Sequence, residues 1–290
     1  KIRNELEVEV KNCLKDMDVV HIHNVGAVIG YYVWKKWKAC GGDGPKLVIT
    51  PYYHGGGHTF LRKAFWSAWR LRIRSMLKDA HAVHTVSKLE ARLLKKDFDV
   101  NAIPIENGVD EIVQDARWRP KDYVLYAGRV EKYKNIERLA KIVSVLNERY
   151  GFQLRFVIIG GGPYKRELET KLKQIKLEHL MMPFQTFERY VGLMSQALFF
   201  GLLSKKESYP QSVNEANAIG VPVLVANPWG QNFADRRRTL IVDSLEVRTV
   251  QRIKDFMKTV QVEPRSNVPT WSDVTKAYLD KLYSPKASGG

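Results

Sequence analysis

Seven short runs of this chain have apolar centres and polar ends: DVVHIHN, KLVITPYYH, AVHTVS, YVLYAGR, RFVIIGGG, ALFFGLLS and VPVLVAN. Helix-length amphipathic segments separate them. Runs this uniformly apolar suit strands covered on both faces, as in a parallel sheet, and their alternation with helices predicts βαβ units. Most of them close on Gly, Ser, His, Arg or Asn, which belong to loops and ligand sites. In open parallel sheets ligands gather beyond the carboxyl ends of the strands, so the chemistry is expected on one rim of each sheet.

Between IENGVDEI and YVLYAGR the stretch VQDARWRPKD is polar and without clear periodicity, and it reads as a linker. The expected division is a first Rossmann-like domain over 1–115, incomplete at its N-terminus, and a second over 116–265. Residues 266–290 follow as a crossover helix and tail. That helix, WSDVTKAYLDKLY, is expected to be capped by Ser272 and to place Val274, Tyr278 and Leu279 or Leu282 on one side.

The 290 residues hold 44% hydrophobic side chains, enough for two cores. Lys and Arg number 47 against 31 Asp and Glu, a net charge of +16, which favours anionic partners. The two cysteines, Cys13 and Cys40, do not describe a disulfide scaffold and fit a reducing cytoplasm. No apolar run is long enough to span a bilayer. No helix-turn-helix, zinc-finger or aromatic RNA motif accompanies the charge, so nucleic acid is not the expected partner.

ESYPQSVNE, residues 207–215, carries two glutamates with Pro210 between them. Proline disfavours a helical residue before it and suits the first turn, so a helix is predicted to begin between Pro210 and Ser212. The N–H groups of Gln211, Ser212 and Val213, with the helix dipole, then form a phosphate site. Carboxylates flanking bound phosphates are repelled by them, so Glu207 and Glu215 are expected to meet hydroxyl groups. Hydroxyls on both sides of a diphosphate describe a sugar nucleotide. GRVEKYKN supplies the cations Arg129 and Lys134 after a strand, and IIGGGP ends another strand in glycines that a ligand can approach closely.

Together, GRVEKYKN, VIIGGGPYKREL and ESYPQSVNEANAIGVPVL resemble the donor-binding domain of retaining GT-B glycosyltransferases of family 4, whose signature is two Glu separated by seven residues. The resemblance extends over about residues 18–283. It implies two Rossmann-like domains with parallel sheets facing a cleft, and a C-terminal helix crossing back to the first. It further implies that Arg129 and Lys134 bind the diphosphate, Glu215 the ribose and Glu207 the transferred sugar. Gly161, Gly162, Phe184, Tyr209, Pro210, Gln211 and Ser212 complete the expected donor site. TPYYHGGGH resembles a loop of the same enzymes in which a His, here His54, contacts the donor sugar. The expected function is transfer of a sugar from a nucleoside diphosphate sugar to a hydroxyl of a glycan or lipid-linked acceptor. The alternative is a non-catalytic relative that binds the nucleotide sugar or glycan beside a partner.

Departures and competing patterns remain. Tyr209 and Pro210 stand where the family often has Phe and Gly. Residues 1–17 are all that precede DVVHIHN, where family members normally have further strands and a Gly-rich loop. His54 and His58 flank three glycines, which oppose the helix a zinc pair would need. His21 and His23 are read as structural, their imidazoles not converging on a metal. Asp16 and Asp18 precede a strand, on the wrong rim for a metal-bound donor, so no metal or other cofactor is expected. Ser87 with Glu90 reads as a capping box and Asn107–Gly108 as a turn. Residues 60–80 combine Arg62, Lys63, Arg70, Arg72, Arg74 and Lys78 with Phe65, Trp66, Trp69, Ile73 and Leu77. Such a helix can lie on an anionic membrane or pack its aromatics on the sheet. A cytoplasmic protein peripheral to the inner membrane face is the corresponding expectation.

Overall fold

The structure is a computed structural model that describes residues 14, 16–41, 44–53, 55, 60–234, 236–243, 247–260 and 265–284, with backbone alone at 60–68 and 247. The chain divides into two compact units, one of residues 1–106 with 272–290 and the other of 107–271. The boundary lies at Glu106/Asn107 instead of near 115. The reason is packing: helix α4 (Glu111–Asp115) lies against two helices of the second unit, α7 (Phe187–Gln196) and α8 (Gln211–Ile219).

The first unit is a parallel sheet in the order β1 (Val19–His23), β2 (Lys46–Thr50), β3 (Ala82–Thr85), β4 (Ile103–Pro104). Helices α1 (Val28–Ala39), α2 (Phe60–Asp79) and α3 (Lys88–Phe98) connect them. Ser87 caps α3, its hydroxyl accepting from Glu90 N at 3.1 Å, as the capping box requires. The Glu90 carboxylate departs from that motif: it accepts from Tyr53 N at 2.6 Å and Val86 N at 3.3 Å, tying the end of β2 to the start of α3.

Within α2, Ile73, Met76 and Leu77 are buried and Trp69 donates its indole N–H to Val25 O at 3.1 Å. Ile73, Met76, Leu77 and Trp69 therefore face the core, and the sheet-packing alternative accounts for them, whereas Leu71 is exposed. Phe65 and Trp66, with Arg62 and Lys63, lie outside the described side chains.

The C-terminal helix α10 (Trp271–Tyr278) and the wide turn Leu279–Tyr283 belong to the first unit from Ser272 onward. Val274 and Leu282 pack with Val48 and Ile105, whereas Leu279 is exposed. Ser272 is the second residue of this helix and not its cap.

A polar chain sits on the same face of the first sheet. His21 and His23 are two apart on a strand and share a face, so their rings do converge, with centroids 4.1 Å apart. They still build no metal site: among the described residues no group of three or more His, Cys, Asp or Glu could hold a metal ion. His84 Nε2 lies 3.0 Å from Ile105 O, which makes it the protonated nitrogen and leaves Nδ1 to accept. The Thr50 hydroxyl is 2.8 Å from His84 Nδ1 and 2.7 Å from His21 Nε2. The Tyr283 hydroxyl is 2.7 Å from His21 Nδ1. With both imidazoles neutral, one direction satisfies every group. Tyr283 donates to His21, His21 to Thr50, Thr50 to His84, and His84 to the carbonyl of Ile105.

The second unit is a six-stranded parallel sheet in the order β10 (Thr239–Val242), β9 (Val223–Ala226), β8 (Ala197–Leu202), β5 (Lys121–Ala127), β6 (Arg155–Ile159), β7 (His179–Met182). Helix α5 (Ile136–Tyr150) follows β5, α6 (Lys165–Gln174) follows β6, and α9 (Val247–Thr259) follows β10. The central strands β5, β6, β8 and β9 bury their apolar runs, and the edge strands β7 and β10 are only partly buried.

Candidate donor site on the second sheet

A pocket of about 340 Å³ opens at the carboxyl ends of β5, β6 and β8, lined in part by Ala127, Gly128, Ile159 and Leu202. Its position is the one an open parallel sheet reserves for ligands. Pro210, Gln211 and Ser212 form one wall, Lys134 and Glu207 a second, and Phe184, Gln185 and Tyr190 a third.

Pro210 is the N-cap of α8, and no side chain caps this end. The Val213 amide, expected to face a ligand, donates instead to Pro210 O at 3.1 Å. Gln211 and Ser212 remain as the amide wall of the pocket. The far end of α8 stops at Gly220, whose φ of +93° is the left-handed conformation glycine takes most easily.

Lys134 ends the short 3₁₀ turn Lys132–Lys134, and Glu207 lies on the loop between β8 and α8. Two bonds clamp these loops together: Lys205 N donates to Tyr133 O at 3.0 Å, and Asn135 Nδ2 donates to Leu203 O at 3.3 Å. Lys134 Nζ consequently meets Glu207 Oε1 at 2.6 Å, with side chains only 13% and 14% exposed. Trp229 Nε1 holds Ser204 O at 2.7 Å and Asn232 Nδ2 holds Ser208 O at 3.3 Å, fixing the rest of the Glu207 loop.

Glu215 is buried on the inner side of α8, and its Oε2 accepts the Tyr190 hydroxyl at 2.6 Å. Burial pushes its carboxyl up to about 7, while the bonds from Tyr190 and Gln211 pull it back. Burial likewise drives the Tyr190 phenol far above its ordinary value, with the Glu215 charge adding to it. Gln211 also donates to Gly108 O at 2.6 Å, and Asn214 Nδ2 to Asn107 O at 2.7 Å. The Asn107–Gly108 turn is thus architectural, as expected: it anchors the first turns of α8.

Other expected site residues fall elsewhere. Arg129 does not line the pocket; its guanidinium is exposed, pairs with Glu131 at 2.9 Å and touches the Tyr133 hydroxyl at 3.3 Å. Tyr209 is a core residue, packed on Phe233 with ring centroids 4.9 Å apart and bonded to Asn214 Oδ1 at 3.1 Å. The glycine run serves backbone packing at two positions. A Cβ on Gly160 would lie 2.0 Å from Gly128 O and one on Gly162 2.3 Å from Val130 O, while one on Gly161 would meet nothing. Neither Gly161 nor Gly162 lines the pocket, and Phe184, 66% exposed, does. Glu215 does not itself line the pocket; the lining residues Tyr190 and Gln211 bond to it. His54 lies outside the described residues. Tyr190 and Gln185 carry no motif, and only their place after the edge strand β7 brings them to the site.

A model of Glycosyltransferase Family 4 matches residues 3–111, and one of Glycosyl transferases group 1 matches residues 109–232. A GDP-mannose:cellobiosyl-diphosphopolyprenol alpha-mannosyltransferase of Xanthomonas oryzae pv. oryzae is 26% identical over 97% of this chain and 78% of its own length. A 2-deoxystreptamine N-acetyl-D-glucosaminyltransferase of Niallia circulans is 27% identical over 38% of this chain and 28% of its own. Two solved structures share the fold. A glycosyltransferase from Rickettsia africae has a TM-score of 0.71 at 16% identity, with 97% of this chain and 79% of that one covered. A sucrose-phosphate synthase from Thermosynechococcus elongatus has 0.70 at 17%, with 92% and 73% covered. With two such domains in series, each on a parallel sheet, the chain is a glycosyltransferase of GT-B fold.

Proposed function

We propose that this chain transfers a sugar from a nucleoside diphosphate sugar to a hydroxyl of a glycan or lipid-linked acceptor, with retention at the anomeric carbon and without a metal. The observation that carries the proposal is the convergence in one pocket of Lys134, Glu207 and the uncapped start of α8. The diphosphate lies against the Gln211 and Ser212 amides, where the helix dipole adds positive charge. Lys134 adds a full charge beside it. As the bond between sugar C1 and the phosphate oxygen breaks, the electron pair leaves on the diphosphate, and these groups stabilise that charge. Glu207 accepts from hydroxyls of the sugar and Glu215 from the ribose. Arg129, whose side chain is exposed, joins the diphosphate by turning from Glu131 and Tyr133.

The relatives' names favour a GDP-linked mannose donor and a diphosphopolyprenol-linked acceptor. Work on such an acceptor places the protein at the inner face of a membrane, and on α2 the exposed Leu71, Arg74 and Lys78 suit an anionic surface.

Thermal-shift screening against GDP, UDP, ADP and dTDP sugars identifies the donor, because a ligand that binds only the folded state raises its melting temperature. Glu207→Ala and Lys134→Ala are each expected to remove most turnover. Wild-type rates in both variants would refute the site, and an inverted product by NMR would refute retention.

A further inference from the structure

Tyr190 belongs to the third wall of the pocket, and the proposed function gives it no role, although with Gln211 it is one of two lining residues that bond to Glu215. Its ring lines the pocket after β7, and its hydroxyl ends on Glu215 Oε2 at 2.6 Å. We propose that Tyr190 is a positioning residue for nucleotide binding, fixing one carboxylate oxygen of Glu215 so that the other is presented to a hydroxyl of the ligand.

The geometry leaves few other roles. Glu215 is on a helix whose backbone is held by Asn214 and Gln211 on the Asn107–Gly108 turn, so the position of its Cα is fixed. Its side chain still has rotatable bonds, and a carboxylate must be held by donors to present one lone pair in a given direction. Among the described residues, the side chains bonded to Glu215 are Tyr190 and Gln211, and neither carries a positive charge. The donors at hand are the Tyr190 hydroxyl and the Gln211 amide. Gln211 is shared with Gly108 O, whereas the Tyr190 hydroxyl has Glu215 as its partner. Tyr190 itself is held from behind: Thr186 caps α7, accepting from Arg189 N at 3.4 Å, and Tyr190 N donates to Thr186 O at 2.9 Å. Phe187 lies beside its ring with centroids 6.0 Å apart.

The inference rests on the donor-site proposal, and a double-mutant cycle separates the two. The dissociation constants of GDP, UDP, ADP and dTDP are measured by calorimetry for wild type, Tyr190→Phe, Glu215→Gln, the double variant and Lys134→Ala. For the nucleotide that wild type binds, Tyr190→Phe is expected to weaken binding about tenfold, the scale of losing a hydrogen bond to a charged group. Glu215→Gln weakens it at least as much. The double variant binds like Glu215→Gln within about twofold, because a residue acting through another adds nothing once that other is gone. In turnover, Tyr190→Phe raises the donor KM with kcat nearly unchanged. Wild-type affinity in Tyr190→Phe, or losses that multiply in the double variant, overturns the positioning role. Wild-type affinity in both Glu215→Gln and Lys134→Ala, or no nucleotide bound by wild type, overturns the donor site and this inference with it.

Discussion

Thr50→Val is the sharpest test of the polar chain that ties the C-terminal segment to the first sheet. The hydroxyl of Thr50 is fully buried and bridges His21 Nε2 at 2.7 Å and His84 Nδ1 at 2.8 Å. Valine keeps the shape and removes the bridge. His84 Nδ1 retains the Tyr278 hydroxyl at 3.3 Å, and its Nε2 keeps Ile105 O, so His84 loses little. His21 is left with an Nε2–H that has no acceptor. A stranded buried donor costs about 1–3 kcal/mol, and His21 is only partly buried, so about 2 kcal/mol is expected. The two units need not unfold as one, which makes a global melt ambiguous. Hydrogen exchange followed by mass spectrometry reads the first unit alone. Protection of the β1 and β2 amides should fall about 30-fold, the equivalent of 2 kcal/mol. Peptides covering 271–283 should lose protection with them, since Tyr283 hangs on the same chain. Thr50→Ser, which keeps the hydroxyl, should stay within a few-fold of wild type. Unchanged protection in Thr50→Val would refute the directed chain of donors.

Acid should weaken the same unit. Burial first, then the neighbouring imidazoles, holds His21 down at about 3, and burial holds His84 below its ordinary value. Unfolded histidines bind protons from about pH 6.5 downward while these do not, so stability declines as pH falls from 6.5 towards 3. Glu90, pushed up to about 7 by burial, opposes this by taking its proton first in the folded state. Hydrogen exchange of first-unit peptides, corrected for the pH dependence of intrinsic exchange, should therefore show a steeper acid decline in Glu90→Gln than in wild type. In the glycine run, Gly160→Ala should cost more than about 3 kcal/mol, because its Cβ would lie 2.0 Å from a carbonyl oxygen that is backbone. Gly161→Ala should leave the melting temperature unchanged.

Much of the architecture was legible because a strand covered on both faces must be apolar throughout. The runs at β2, β3, β5, β6, β8 and β9 were readable for that reason, and β1, a partly buried edge, was readable as an apolar run all the same. Strands β4, β7 and β10 escaped it, and all three are sheet edges with half-covered side chains, so HLMM and TLIV look like any apolar patch. In the site, Lys134, Glu207 and Pro210 were legible from spacing around a strand end and a helix start. Arg129 has the same spacing logic, but its side chain is free to choose Glu131, and no one-dimensional pattern records that choice. Tyr209 looked like a ligand contact because it sits in the motif, yet a neighbour from a remote turn, Phe233, turns it into the core. Tyr190 was invisible for the converse reason. It reaches Glu215 across 25 positions of sequence and belongs to no recurring motif.

The pairing of Lys134 with Glu207 changes how loss of activity in either variant must be interpreted. The two charges meet at 2.6 Å and are almost buried, so removing one strands the other in a poorly solvated place. Lys134→Ala alone is thus expected to lose both activity and stability, by about 3 kcal/mol at the low end for a broken buried pair. Stability and chemistry separate in the double variant. Lys134→Ala with Glu207→Ala leaves no uncompensated charge, so its melting temperature should recover most of what the single variant lost. Its turnover should not recover at all if both groups act on the donor. A double variant as unstable as Lys134→Ala would mean that the pair is held by something other than its charges. One that regained activity along with stability would show Lys134 and Glu207 to be scaffolding, and the diphosphate would then have to be met by Arg129 and the helix amides alone.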